Sequence, residues 1–410
     1  MMMTMKNTLA AILACTCTLL ISCGGGSGFS SLGGAGGGDG GGGGGGPGSG
    51  GTGVYTVFVG SIDGFGSIIV NGVHHDIDTA AITLEDASSL QLGMTTRVTG
   101  TSTDGLSKTT ATQVVSAADL RGTVSGVNAG DGTTGSLQVQ GALVQTDSST
   151  IYDGSGLTGI AALGNGNNVQ IYGLPGAPGY LRATRIERLA APAAPVVTGS
   201  VTSLNVVSRT FVLGSLTVDF STASFADGLS GATLGNGQIV RVRALPPSAA
   251  GNLVAVKVQP WYPVPASDGV ALGLGGIVTD FGSTAAFKVM GTPVNASAAQ
   301  ITGGPPGSIG NGVKVEVTGA ISGGVLVATK LRIRYIPGTG GPAKFDVTGA
   351  IGNYTSAASF RVQGQSINAS GPGVVFVNGT AGNLANGVRV AVTGSHVSSG
   401  TLIADQVTFE

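Results

Sequence analysis

One short phrase recurs five times along this 410-residue chain, and it limits the folds that the chain can adopt. The five versions are GMTTRVTG, GNGNNVQIYG, GNGQIVRVRA, GNGVKVEVTG and ANGVRVAVTG. Their apolar and polar residues alternate with period two, which is typical of a β-strand with one buried and one exposed face. A glycine precedes each strand, as Gly312 does in the fourth version, and a tight turn with positive φ is unstrained only for glycine. The phrase therefore predicts a turn and a half-buried strand, five times over.

A second landmark indicates that the phrase belongs to a larger repeated unit. A Gly-x-Val/Ile motif precedes each phrase and recurs at residues 60, 122, 199, 276 and 349, in steps of 62 to 77 residues. A period of this length suits a small domain rather than a thin solenoid. No window of eleven or more residues beyond residue 53 keeps a convincing helical period, so we expect almost no helix.

We predict an all-β fold of five tandem, small, five-stranded barrels. Five strands in about 65 residues suit a compact barrel better than a sandwich, and such a barrel resembles the OB-fold. The helix between strands three and four of that fold is reduced here to a short plug, with the candidates Ile82, Ile151, Phe225, Ile301 and Phe376. The predicted barrels, called copies 1 to 5, are residues 54–120, 121–191, 196–260, 271–336 and 345–410.

The N-terminal residues 1–22 have the pattern of a secretory signal. One positive charge at Lys6 precedes an uncharged apolar stretch that is too short for a confident membrane span. The stretch ends in LISC and resembles the lipobox of bacterial lipoproteins, which predicts lipidation at Cys23 and a membrane as partner through that lipid. The alternatives are a plain signal peptide, a retained anchor and a second lipobox ending at Cys15 with a shorter apolar core. Gly24 after the cysteine favours the outer membrane of a Gram-negative host.

Composition narrows the remaining classes of function. Residues 23–53 are mostly glycine and predict a disordered, flexible tether. Only 10% of all residues are charged, the formal net charge is -1, and Lys and Arg form no cluster, so we expect no nucleic-acid partner. Cleavage before Cys23 leaves a single, modified cysteine, so no disulfide is expected.

The sequence offers weak candidates for chemistry. On a strand, the side chains of His74, Asp76 and Asp78 would share one face and resemble a line of metal ligands. However, His75 occupies a position that is apolar in three of the other copies, and none of those copies repeats the acidic residues. Two GxGxxG segments, at residues 130–135 and 154–159, open no helix after a strand, which the dinucleotide motif requires. No nucleophile, histidine and acid fall into a catalytic pattern. We therefore predict no metal, no cofactor, no catalytic residue and no enzymatic activity.

The only tryptophan lies in PWYPVP, between copies 3 and 4. Trp261 and Tyr262 are the candidate ligand contacts, because exposed aromatic rings stack on sugars or peptides. The alternative is a stiff spacer whose aromatic rings wedge two barrels apart, and the three prolines of the segment favour it.

The string GSIDGFGSIIVNGVHHDIDTA…LQLGMTTRVTG, with its Gly-rich leader and four further copies, resembles the bacterial family known as domain of unknown function 5666. The resemblance extends over residues 57–409 and implies a small β-fold and an envelope location, without any reaction. Together these features predict a lipid-anchored envelope protein that presents its barrels as a structural or interaction scaffold. The alternative is a module that binds an envelope glycan or peptide.

Overall fold

A computed structural model describes residues 54–410 except 103–105, 107, 133, 178, 247–250 and 341–343. The predicted signal peptide, Cys23 and the tether lie outside the described residues. The described part falls within one compact unit and consists of thirty β-strands and three 3-10 helices of three residues each, which confirms the prediction of an all-β fold with almost no helix. Within it, no helix is long and apolar enough to cross a membrane.

Each copy contributes six strands in the same order. Copy 1 contains β1 (Val54–Phe65), β2 (Ile68–Val70), β3 (Val73–Asp76), β4 (Ala81–Leu84), β5 (Thr95–Ser102) and β6 (Lys108–Ser116). Copy 2 contains β7 (Leu120–Asn128), β8 (Ser136–Val139), β9 (Ala142–Gln145), β10 (Ile151–Asp153), β11 (Asn168–Pro175) and β12 (Tyr180–Leu189). Copy 3 contains β13 (Val196–Asn205), β14 (Thr210–Leu213), β15 (Leu216–Asp219), β16 (Ser224–Phe225), β17 (Ile239–Ala244) and β18 (Asn252–Pro260).

The last two copies follow the same plan. Copy 4 contains β19 (Ala271–Ser283), β20 (Ala286–Val289), β21 (Thr292–Asn295), β22 (Gln300–Thr302), β23 (Lys314–Ser322) and β24 (Val325–Tyr335). Copy 5 contains β25 (Phe345–Ser356), β26 (Ser359–Val362), β27 (Gln365–Asn368), β28 (Val375–Val377), β29 (Arg389–Ser398) and β30 (Thr401–Phe409). The 3-10 helices are η1 (Ile160–Ala162), η2 (Pro306–Ser308) and η3 (Ala381–Asn383).

Five of the six strands in each copy pair into a closed ring. In copy 4, β19 pairs antiparallel with β20 and with β23, β20 with β21, and β23 with β24. The ring closes where β21 lies parallel to β24. The other four copies have the same pairings, and in each the third strand lies parallel to the last. The repeated phrase supplies the second-last strand of the ring, as its alternation predicts.

The plug between the third and fourth ring strands differs from the prediction. All five plug candidates lie in short strands, β4, β10, β16, β22 and β28, that run parallel to the last strand of their copy. The candidates themselves are therefore strand residues, although in copies 2, 4 and 5 one 3-10 helix, η1, η2 or η3, follows the short strand in the same connection. These strands are two to four residues long, and their backbone groups form hydrogen bonds with the neighbouring strand. A helix of that length could not form the same hydrogen bonds within itself. Ile82 is exposed, and Ile151 of copy 2 is buried in the core cluster of copies 1 and 5, so the candidates do not each fill the ring of their own copy.

The sequence predicts five tandem small barrels and leaves their packing open; in the structure the copies are stacked and share strand pairings. In copy 1, β1 lies parallel to β19 of copy 4 and to β25 of copy 5, while β7 of copy 2 pairs with β13 of copy 3. With the pairing of β10 of copy 2 and β29 of copy 5, these contacts join all thirty strands into one hydrogen-bonded sheet. The repeated units therefore stack on one another and do not hang as beads.

The hydrophobic cores are also shared. One cluster of buried side chains joins copies 2 and 3, a second joins copies 1 and 5, and a third combines copy 4 with Val57 and Val59 of copy 1. A domain of this size alone buries too little apolar surface for high stability. Sharing cores between copies supplies the apolar contacts that one copy lacks.

The glycine that ends the repeated phrase marks a close approach between strands. At Gly100, Gly173, Gly319 and Gly394 the register with the last strand of the copy shifts by a bulge. A Cβ at Gly319 would overlap the carbonyl oxygen of Val327. Copy 3 carries Ala244 at the same bulge, so the local backbone there differs enough to admit one methyl group.

We expect Gly319→Ala to lower the free energy of unfolding by about 1–3 kcal/mol, because the added methyl group must displace backbone in a packed sheet. Urea unfolding followed by circular dichroism measures the change. The matched control is Gly352→Ala, since a Cβ there meets no atom within 4 Å. An equal effect of the two substitutions would contradict the close-approach explanation.

Candidate functional site

The two aromatic residues predicted as ligand contacts lie in the interior. Trp261 is 3% exposed and Tyr262 is 5% exposed, and both pack in the core cluster of copy 4. Both residues also line a cleft of about 570 Å³, together with Val264 and Met290. Their burial favours the alternative, in which the aromatic rings wedge neighbouring copies, and the ligand-contact prediction stays a prediction.

The Trp261 ring contacts the fully buried carboxylate of Asp119, the residue directly before β7. Its Oδ1 accepts hydrogen bonds from Trp261 Nε1 at 2.5 Å and from an Arg241 guanidinium nitrogen at 2.7 Å. Its Oδ2 accepts from Thr95 Oγ1 at 2.6 Å and from the backbone N–H of Gly173 at 2.8 Å. One carboxylate thus joins copies 1, 2 and 3 and the segment between copies 3 and 4.

Arg241 completes this junction. Its side chain is 1% exposed, donates to the carbonyl oxygen of Trp261 at 3.1 Å, and lies 4.7 Å from the centre of the Tyr262 ring. Tyr262 in turn donates through its hydroxyl to the Thr95 carbonyl oxygen at 2.9 Å. A guanidinium so placed is compensated by a carboxylate, a carbonyl and an aromatic face, which a buried cation requires. We call Asp119, Arg241, Trp261, Tyr262 and Thr95 the Asp119 junction.

A second cluster of charges lies where copies 1, 2 and 3 meet. Asp86 of copy 1 is paired with Arg121 of copy 2 and with Arg243 of copy 3, the latter at 2.6 Å. Burial opposes ionisation of Asp86, but the hydrogen bonds from Arg243 and from the N–H of Ala118, together with the charges of both arginines, lower its pKa to about 2. Gln170 joins the cluster by accepting from Arg121 Nε at 2.9 Å. The cluster therefore stays ionised at neutral pH.

A third cluster joins copies 1 and 4. An Arg334 nitrogen lies 3.1 Å from Glu316 Oε1 and 3.5 Å from Asp63 Oδ2, so two buried carboxylates share one guanidinium. Burial raises the pKa of Glu316 to about 7; Arg334 and Arg332 oppose this shift, and the negative charge of Asp63 adds to it. Arg332, the second partner of Glu316, lies 3.6 Å away and is partly exposed.

These clusters account for the polar positions of the repeated phrase. Gln170, Arg241 and Glu316 occupy the face that alternation directs away from the core of their own copy, and all three are buried against other copies. The half-buried strand predicted from the phrase is therefore wrong for copies 2 to 4, where a neighbouring copy covers the outer face. Arg97 of copy 1 donates to the carbonyl oxygen of Pro263 at 2.8 Å. The polar residues differ between copies because each one meets a different neighbour.

The histidine cluster of copy 1 is a packing feature. His75 has no exposed surface, lies against the Phe58 ring with 4.7 Å between centroids, and contacts Thr109 Oγ1 at 2.5 Å. Burial lowers its pKa to about 4, so the imidazole is neutral at neutral pH. Within the described residues, no group of three or more His, Cys, Asp or Glu side chains could hold a metal ion, His74, Asp76 and Asp78 included.

Comparison with known proteins places the copies in one family. A profile described as Domain of unknown function (DUF5666) matches residues 121–187, 198–259, 275–332 and 348–408, which fall in copies 2 to 5 and cover more than half of the chain. The family resemblance drawn from the sequence is confirmed. The matched ranges begin after copy 1, whose likeness to the others rests on its identical strand order. No curated protein matches the chain.

Proposed function

The chain belongs to the family described as Domain of unknown function (DUF5666), and we propose that it is a lipid-anchored, non-enzymatic protein of the cell envelope in which five OB-like barrels form one rigid interaction scaffold. The observation that carries this proposal is the burial of the phrase residues Gln170, Arg241 and Glu316 between copies. These polar side chains hold the copies to one another and are not gathered around an open reaction centre.

The order of strands supports the OB-like description. Each ring runs from the first strand through the second and third to the last, and returns through the repeated phrase to the first. A five-stranded barrel whose third and last strands are parallel fits the OB-fold architecture. In the connection where the OB-fold carries a helix, this chain has a short parallel strand, followed in copies 2, 4 and 5 by a 3-10 helix of three residues.

The anchor is supported by the residues before the described part. The lipobox-like LISC ends at Cys23, and lipoprotein processing that leaves two or more acyl chains on it holds a protein stably on a membrane. The Gly-rich composition of residues 24–53 supports a tether of about 30 Å between the lipid and the scaffold. This arrangement places the scaffold beyond the lipid surface, free to meet partners in the envelope.

The anchor is tested by Cys23→Ser in cells fed labelled palmitate. We expect the substituted protein to lose the label and to leave the membrane fraction, because no acylated residue remains. The matched control is Cys15→Ser, which removes the cysteine of the second lipobox and should change neither readout. A labelled, membrane-bound Cys23→Ser protein would sink the anchor proposal, and loss of label in Cys15→Ser would move the site to Cys15.

A further inference from the structure

A cleft of about 620 Å³ lies where copies 2, 3 and 4 meet. Its walls come from β13 and the turn before β17 in copy 3, and from β19 and the turn before β23 in copy 4. Gly176 and Tyr180 of copy 2 close one end. The volume is in the range of pockets that hold small ligands.

The two walls present equivalent residues of two copies. Thr202 and Asn236 on one wall correspond to Thr279 and Asn311 on the other. Asn236 Oδ1 accepts from the backbone N–H of Leu204 at 3.0 Å, and Asn311 Oδ1 accepts from the corresponding N–H of copy 4 at 2.9 Å. Each of these hydrogen bonds fixes the orientation of its amide side chain. Within the described residues, no hydrogen bond engages the Nδ2 group of either asparagine.

The charges of the cleft cancel. Asp280 and Lys288 are the charged residues of its lining, and their side chains pair with each other at 2.9 Å. The other polar groups are hydroxyls and amides, between apolar patches from Ile239 and Ile277. Such a lining suits an uncharged ligand that has both hydroxyl groups and apolar faces.

A peptide does not fit this cleft by adding a strand. The backbone of its walls is already paired, since Val201 N–H donates to the carbonyl oxygen of Gln238 and Val278 N–H donates to that of Val313, each at 2.9 Å. Strand addition needs a free edge of backbone groups. The side-chain hydroxyls and amides of the cleft therefore remain to recognise a ligand, and these groups suit ligand hydroxyls.

We propose that this cleft binds a short, uncharged oligosaccharide, with the Nδ2 groups of Asn236 and Asn311 donating to sugar hydroxyls from opposite walls. A ligand of two or three sugar rings has hydroxyls along both edges and apolar ring faces between them. The proposal adds a ligand to the scaffold and does not depend on the lipid anchor.

The test is calorimetry with the purified full-length protein against a panel of neutral di- and trisaccharides. Charged comparators are a uronic-acid disaccharide and a sulfated disaccharide, and an extended peptide tests the other ligand class. The key variant is Asn236→Asp with Asn311→Asp, because aspartate keeps the oxygen that accepts the backbone N–H and loses the Nδ2 donor. The matched control is Asn386→Asp, whose Oδ1 accepts the N–H of Tyr354 at 2.8 Å but which lies outside the cleft.

We expect a neutral oligosaccharide to bind and the double variant to bind it at least about tenfold more weakly, since two hydrogen bonds are lost. Asn386→Asp should leave binding unchanged. The proposal is overturned if no neutral sugar of the panel binds, if the peptide or a charged sugar binds instead, or if the double variant binds like its control. None of these outcomes bears on membrane attachment, which the Cys23→Ser experiment measures separately.

Discussion

Replacement of Asp119 by Asn is expected to lower the free energy of unfolding by about 3–5 kcal/mol, the cost of leaving a buried charge without its partner. Asparagine has nearly the shape of aspartate but cannot accept four hydrogen bonds. In either orientation, its Nδ2 group faces donors, Trp261 and Arg241 on one side or Thr95 and the N–H of Gly173 on the other. The guanidinium of Arg241 then remains buried without a carboxylate.

Urea unfolding measures this effect, with the fluorescence of Trp261, the single tryptophan of the chain, as one signal and circular dichroism as the second. The matched control is Asp405→Asn, because Asp405 is exposed in β30 and accepts only a 3.3 Å hydrogen bond from Ser395. We expect that control to change stability by less than about 0.5 kcal/mol. If the two variants unfold at the same urea concentration, the Asp119 junction does not hold the copies together.

We expect the substitution Glu316→Gln to change how the free energy of unfolding depends on pH. The unfolded chain releases the Glu316 proton near the ordinary pKa of 4.5, whereas the folded protein holds it to about 7. The folded state therefore binds more protons between these values, and the free energy of unfolding falls as pH rises through this window. The loss is complete above the folded pKa and amounts to at most about 3 kcal/mol, at about 1.4 kcal/mol per pKa unit.

Glutamine resembles the protonated side chain and does not titrate, so Glu316→Gln removes this contribution. Arg334 keeps Asp63 as its partner. We expect the variant to match the wild type near pH 4.5 and to exceed it by about 1–3 kcal/mol at pH 8. Chemical unfolding at a series of pH values measures the difference, with Glu410→Gln at the exposed last residue as control. A constant difference between wild type and variant from pH 4.5 to 8 would show that Glu316 does not titrate in this window.

Much of the fold follows from local pattern. The alternation in GNGVKVEVTG predicts the strand that the structure contains from Lys314, and it assigns Val315 and Val317 to the core, where both are buried. The absence of helical periodicity predicts the near absence of helix. These features depend on residues two positions apart, so they can be read from a single stretch of chain.

The candidate site could not be predicted in the same way. The polar residues of the phrase vary from copy to copy, and variation at a position suggests an exposed face. In the structure Arg241 meets Asp119, 122 residues earlier, and Glu316 meets Arg334 and Asp63. Trp261 was assigned to a spacer or a ligand contact, yet it donates to a carboxylate from the end of copy 1. The sequence offered one general signal for these residues. In a chain with few charges, a charged residue between two aliphatic residues is expected to form an ion pair.

By itself, the sequence determined that this protein is built from repeated β-units, which face of each strand enters the core of its own unit, and where the turns lie. Only the tertiary structure decided that the units share cores, that the outer faces of three phrases are covered, and that a neutral cleft opens between copies 3 and 4. The physical reason is the distance along the sequence between the residues that determine each feature. A strand pattern is set by neighbours within a few residues, whereas the burial of a charge depends on a partner that another copy brings from far along the chain.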